Sequence, residues 1–188
     1  MKLFHLSDLH IGKRVNEFSM IEDQKYILKR ILDLAEEEKP DGIILAGDIY
    51  DKQIPSAEAV QVFDEFITRL AGRAIPVFII SGNHDSAERL AFGGRLLNSR
   101  GIYLSPVYDG SVTKIPLKDQ YGTVWIHLLP FIRPSTVRHV FENEADLVTD
   151  VQTAAETVIR HMEIDLKDRN ILVAHQFVTG ASRCESED

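Results

Sequence analysis

Three short segments place metal-binding side-chain types directly after apolar runs: Leu6-Ser7-Asp8-Leu9-His10, Ala46-Gly47-Asp48-Ile49-Tyr50-Asp51 and Ser81-Gly82-Asn83-His84-Asp85. Asp8 and His10 are two apart, so on an extended segment they point to one side and can grip one cation. Asp48 follows Gly47, which lets the backbone turn sharply. A carboxylate there can bridge two cations about 3.5–4 Å apart. Asn83 offers a neutral amide oxygen. His84 beside it is placed to donate a proton to a leaving oxygen, and Asp85 is placed to orient the His84 imidazole. Each motif alone has a plain structural reading: a strand-end Asp and His, a turn Asp, an Asn-containing turn. His175 ends a fourth apolar run, Asn170-Ile171-Leu172-Val173-Ala174, where a lone histidine is more often core than ligand. Four such strand ends together point to a dinuclear metal centre of hard oxygen donors and imidazoles, the equipment of two-metal phosphoester hydrolysis.

The runs before the motifs, Lys2–Leu6, Gly42–Ala46 and Val77–Ile80, read as buried strands. In an open α/β sheet the carboxyl ends of such strands converge on one edge, where ligands bind. Ser19-Met20-Ile21-Glu22 has the form of a capping box. It predicts a helix to about Glu38, with Ile27, Ile31 and Leu34 on one face. Pro55-Ser56 opens a second helix to about Leu70, with Val60, Phe63 and Ile67 at helical spacing. A third helix is expected from Ala87 to Ser99. The β-α-β-α-β order implies a parallel sheet with right-handed crossovers. From Gly101, short runs at Ile102–Leu104, Ser111–Ile115 and Thr123–Leu129 alternate with turn residues and predict antiparallel strands of a second sheet packed on the first. Thr149-Asp150-Val151-Gln152 is a further capping box, opening a helix to about Met162. From Gln176 to Asp188 the chain is small and polar and no further element is expected.

With 188 residues and 44% hydrophobic content, the chain can bury a core of about one domain. A single cysteine, Cys184, excludes an internal disulfide framework and a Cys-rich zinc site. No signal peptide is evident at the N-terminus, and no apolar stretch approaches the ~20 residues of a membrane helix. A soluble, cytoplasmic protein without membrane contact is expected. The net charge of −8 leans against nucleic-acid binding, although bound cations would offset carboxylates locally. Lys13, Arg14, Arg89, Arg95 and Arg100 also follow the first and third motifs closely. His5, His127, His139 and His161 have no ligand-like neighbours. Cys184 reads as incidental, and Trp125 and the scattered phenylalanines as core rather than a base-stacking platform.

Asp8-x-His10, Gly47-Asp48-x-x-Asp51 and Gly82-Asn83-His84-Asp85 resemble the signature of the calcineurin-like metallophosphoesterase superfamily. The flanking residues Leu6 to Lys13 and Ala46 to Asp51 resemble its DNA-repair nucleases more closely still. The resemblance covers essentially the whole chain. It implies an α/β fold, a four-layer α/β/β/α sandwich, with metals at one edge. It implies that Asp8 and His10 bind a first metal, that Asp48 bridges both, and that Asn83 and His175 bind a second. His84 would contact the scissile phosphate as a catalytic residue, with Asp51 near the active centre. Two divalent ions, usually Mn2+, are the implied cofactors. The implied activity is exonuclease action on double-stranded DNA ends and endonuclease action on single strands and hairpins, in repair, recombination and replication. Implied partners are DNA, an ATPase subunit, and a second copy of the chain through helices 56–70 and 87–99. The alternative reading is a phosphoesterase for small-molecule or protein phosphoesters. The family completes its site with a Gly-His-x-His motif, which does not occur before Asp188. The resemblance therefore implies that 1–188 is the nuclease-domain part of a longer protein with a C-terminal capping domain, weakly active or inactive alone.

Overall fold

A computed structural model describes residues 1–177. In chain order the elements begin with β1 (Leu3–Leu6), a two-strand hairpin of β2 (Arg14–Val15) and β3 (Phe18–Ser19), α1 (Ile21–Glu38), β4 (Gly42–Ala46), α2 (Ala57–Ala71) and β5 (Val77–Ile80). They continue through α3 (Ala87–Leu90), α4 (Gly94–Asn98), β6 (Ile102–Leu104), β7 (Thr113–Asp119), β8 (Gly122–Leu128) and α5 (Pro134–Val140). A 3-10 turn (Glu142–Leu147), α6 (Val151–His161) and β9 (Arg169–Val173) complete them.

One sheet has the order β1-β4-β5-β6, all parallel; the other has the order β7-β8-β9. The strand period of two divides the central strands between two cores. Ile43, Leu45, Val77 and Ile79 face α1 and α2, while Ile44, Ala46, Phe78 and Ile80 meet Val124, Ile126, Leu128 and Val173 of the second sheet. A third cluster joins Leu129 and Ile132 to Val137, Ala154 and Val158 of α5 and α6. The layers are thus helix, sheet, sheet, helix. Because both faces of β4 and β5 are covered, their sequences are unbroken apolar runs. Each fully buried side chain such as Phe78 or Leu45 contributes roughly 1.5–3 kcal/mol.

Several sequence expectations differ from this structure. Ile102–Leu104 joins the parallel sheet beside β5 rather than the second sheet. The second sheet is mixed: β7 and β8 are antiparallel, but β8 and β9 are parallel. α1 starts after Met20 with no side-chain cap, so the Ser19–Glu22 capping box does not form. Its buried face is Leu28, Leu32 and Ala35, while Ile27 and Leu34 are exposed. In α2, Ser56 caps as expected and Phe63 and Ile67 are buried, but Val60 is exposed. The expected helix 87–99 is two short pieces, parted where Gly93 adopts a left-handed φ of 77°. The cap of α6 is Asp150 with Thr153, one residue later than expected. The segment 178–188, with Cys184, lies outside the described residues.

Candidate metal centre

The loops after β1 and β4 run side by side past the ends of their strands. The Asp8 amide donates to the Gly47 carbonyl (3.2 Å), His10 to Asp48 (2.9 Å) and Ile11 to Ile49 (2.9 Å). Three of the motif residues take left-handed backbone angles, with φ of 58° at Asp8, 42° at His10 and 50° at Asp48. Each such conformation costs on the order of 1–3 kcal/mol and persists only where the surroundings over-determine it.

Two side chains over-determine these loops. Gln24, near the start of α1, accepts from the Gly12 amide (2.9 Å) and donates to the carbonyls of His10 (2.7 Å) and Leu9 (3.1 Å). Asp85 is buried and accepts from the amides of Ile49 (3.1 Å), Tyr50 (2.9 Å) and Gly82 (2.9 Å). Asp85 therefore holds the second loop to the third instead of orienting His84. Burial, its main influence, raises its carboxyl above the usual range despite those donors. His84 is held by Asp51, whose backbone carbonyl accepts from Nδ1 at 3.1 Å. Gln24 carried no sequence signal, because a helical glutamine looks like any solvated one.

Close approach fixes two glycines. A Cβ on Gly47 would lie 2.6 Å from the His175 ring, and one on Gly82 would run into Asp48.

Asp48, 3% exposed, lies at the middle of the cluster. Its Oδ2 is 3.7 Å from His10 Nε2, 3.9 Å from His84 Nε2 and 3.5 Å from His175 Nε2. Its Oδ1 accepts the His84 amide at 2.9 Å. Asp8 Oδ1 is 3.7 Å from His10 Nε2, and Asn83 Oδ1 is 3.2 Å from His175 Nε2. Two groups have ligand atoms within 4.8 Å of one another: His10, Asp48 and His84, and Asp8, Asp48 and His175. Asp48 belongs to both. Asp8 and His10, which the resemblance assigns to one metal, also approach each other at 3.7 Å, and His84, which it assigns to the phosphate, lies beside Asp48. The Asp51 carboxylate lies at the periphery, 3.8 Å from His10 Nδ1.

These atoms suit cations. His175 Nδ1 faces the Ala46 carbonyl at 2.7 Å. A carbonyl only accepts, so Nδ1 carries the proton, and neutral His175 turns a lone pair on Nε2 toward Asp48 and Asn83. His84 has the same arrangement about the Asp51 carbonyl. His10 Nδ1 is buried without a hydrogen-bond partner. On His84 and His175, lone pairs thus face oxygens at 3.2–3.9 Å. Ligands around 2.1 Å from one ion at right angles lie about 3 Å apart, close to this spacing. Burial works against the Asp48 carboxylate, but His175 and the His84 amide outweigh it and hold the carboxyl below its usual range. Burial likewise works against protonated His175, but Asp48 and the Ala46 carbonyl raise it above the ordinary histidine value. The field that draws a proton to this spot would draw a divalent cation.

Of the other histidines, His127 is buried with Nε2 2.8 Å from Asn170 Oδ1, and His161 stacks on Phe141 with Nε2 3.1 Å from Glu144. The phenylalanines are not all core: Phe18, Phe92 and Phe177 are largely exposed. No helix among the described residues is long and apolar enough to cross a membrane.

Comparison with known proteins matches residues 1–188 to the family described as calcineurin-like phosphoesterase. The SbcD component of the nuclease SbcCD from Staphylococcus saprophyticus is 33% identical over 190 residues, covering 100% of this chain and 49% of that protein. Its counterpart in Staphylococcus epidermidis is 35% identical over 190 residues with the same coverage. The chain therefore spans about half the length of these curated relatives. It belongs to the calcineurin-like phosphoesterase family.

Proposed function

We propose that this calcineurin-like phosphoesterase is the metal-binding part of a DNA nuclease that hydrolyses phosphodiester bonds with two divalent cations, Mn2+ in the first instance. The observation that carries the reading is Asp48, one buried carboxylate shared by two groups of ligand atoms. Asp8, His10 and Asp48 would hold one ion, and Asp48, Asn83 and His175 the other. When bound, such ions neutralise phosphoryl charge and lower the pKa of water to near neutrality. The chain's own residues supply the rest. The Asp51 carbonyl holds His84 by its Nδ1, which leaves Nε2 to face a substrate phosphate; in the doubly protonated imidazolium, Nε2 carries the proton that passes to the leaving sugar oxygen. Gln24 and Asp85 keep the ligand loops in their left-handed conformations, so little reorganisation is needed when charge develops.

The relatives are named as components of an SbcCD nuclease. By that similarity the full-length protein works on DNA in the cytoplasm with an SbcC-type ATPase subunit. It would act on double-stranded ends as an exonuclease and on single strands and hairpins as an endonuclease, in repair, recombination and replication. Homodimerisation is proposed through 56–70 and 87–99, where Val60, Phe92 and Leu96 are exposed. The remainder of the relatives' length is where this reading places a Gly-His-x-His motif and a capping domain. The deciding experiment compares hydrolysis of linear duplex DNA, single-stranded DNA and p-nitrophenyl phosphate by the full-length protein with Mn2+. The proposal requires DNA cleavage that is lost in Asp48→Ala and His84→Ala. Turnover of the monoester with no cleavage of DNA would favour a phosphoesterase for small molecules, which the same centre could serve.

A further inference from the structure

Two strand ends bring an aromatic pair to the same edge as the candidate centre. After β8, Phe131 donates its amide to the Ser81 carbonyl at 2.8 Å, two residues before Asn83. After β9, Phe177 follows His175 by two residues. The rings meet edge to face with centroids 6.3 Å apart, and the Arg133 guanidinium lies 5.6 Å from the Phe131 ring centre. Phe177 is 60% exposed and Phe131 is half-buried. Between them Gln176 donates Nε2 to the Pro130 carbonyl at 3.3 Å, while its buried Oε1 meets no donor among the described residues.

Among the described residues this ring fills no core. An aromatic face and a cation are what a nucleobase and its phosphate use: the face for stacking and the guanidinium for phosphate. The chain's net charge is −8, so broad electrostatic capture of a polyanion is weak. Local stacking becomes correspondingly important. We propose that Phe177, with Phe131 and Arg133, forms a stacking subsite for one base of a single nucleic-acid strand whose phosphate enters the metal centre. This rests on the nuclease reading and specifies its substrate as a strand with an unpaired base.

The test uses the full-length protein, an oligothymidylate strand and an abasic strand of equal length. Wild type should show a lower KM for the base-bearing strand. Phe177→Ala should narrow that KM difference about fivefold or more, the effect of losing one stacked base, and Phe177→Tyr should restore it. An unchanged difference in Phe177→Ala overturns the subsite. In a separate arm, Phe177→Trp fluorescence should be quenched by iodide in the free protein and protected by oligothymidylate but not by the abasic strand. A tryptophan already shielded in the free protein overturns the subsite, because another segment or partner then covers the ring. Wild type that cleaves neither strand overturns the nuclease reading itself, and the fluorescence arm still decides the stacking.

Discussion

His175 Nε2 lies 3.5 Å from Asp48 Oδ2, while His175 Nδ1 is held 2.7 Å from the carbonyl of Ala46, 129 positions earlier in the chain. One imidazole thus ties the end of β9 in the second sheet to the end of β4 in the first. The two-sheet packing is what brings this ligand to the others, so the site depends on the sandwich and not on one strand-loop motif.

That contact leaves no room for a side chain at Gly47, where φ is 88°. Gly47→Ala should displace the His175 ring and strain the turn together. The expected result is a thermal midpoint lower by several degrees and Mn2+ affinity weakened about tenfold or more, the scale of losing support around a metal ligand. Thermal scans with and without Mn2+ read both. A variant matching wild type in each would mean that the His175–Gly47 approach is not tight in solution.

Asp85 accepts three amides from two loops. In Asp85→Asn the amide nitrogen must face at least one of those N–H groups. A buried donor left without an acceptor costs about 1–3 kcal/mol. Urea denaturation of the full-length protein should show a loss of this size. An unchanged urea midpoint, with only activity reduced, would instead favour a role for Asp85 confined to the chemistry.

Arg169 on β9 grips Asp119 at the end of β7 through both oxygens, at 2.7 and 3.1 Å. The guanidinium holds the Asp119 carboxyl well below the usual carboxylate range. A carboxyl with a depressed folded-state value adds stability above its unfolded value of about 3.9, and that stability fades as pH falls through the folded value. Stability should therefore decline with acidification below about pH 4, and Asp119→Asn should flatten that part of the decline. Denaturation midpoints from pH 5 down to pH 2 test this. Parallel curves for variant and wild type would contradict it.

The strands that carry the ligands were legible because both faces of the parallel sheet are covered, which leaves unbroken apolar runs ending in Asp48 and Asn83. The helix faces were less so. In α1 the apolar residues span a wide arc, and packing against α2 and the sheet buries Leu28 and Leu32 rather than Ile27 and Leu34. The three residues of β6 are too few to show a pairing partner. Backbone bonds from Val77 to Gly101 and from Ser105 to Ile79 decide it. The single helix expected over 87–99 passed over Gly93-Gly94, a turn signal, and the break between α3 and α4 falls there. Within the site, residue types were legible and second-layer roles were not: Asp85 stands next to His84 in sequence yet turns away to bond Ile49, Tyr50 and Gly82.

Manganese titration of the full-length protein by calorimetry, wild type against Asp48→Ala, tests the shared carboxylate most directly. Asp48 serves both groups of ligand atoms. Wild type should bind two ions per chain, and Asp48→Ala should weaken both together while its circular dichroism spectrum stays that of the folded protein. Two ions bound to Asp48→Ala with wild-type affinity would contradict the dinuclear centre.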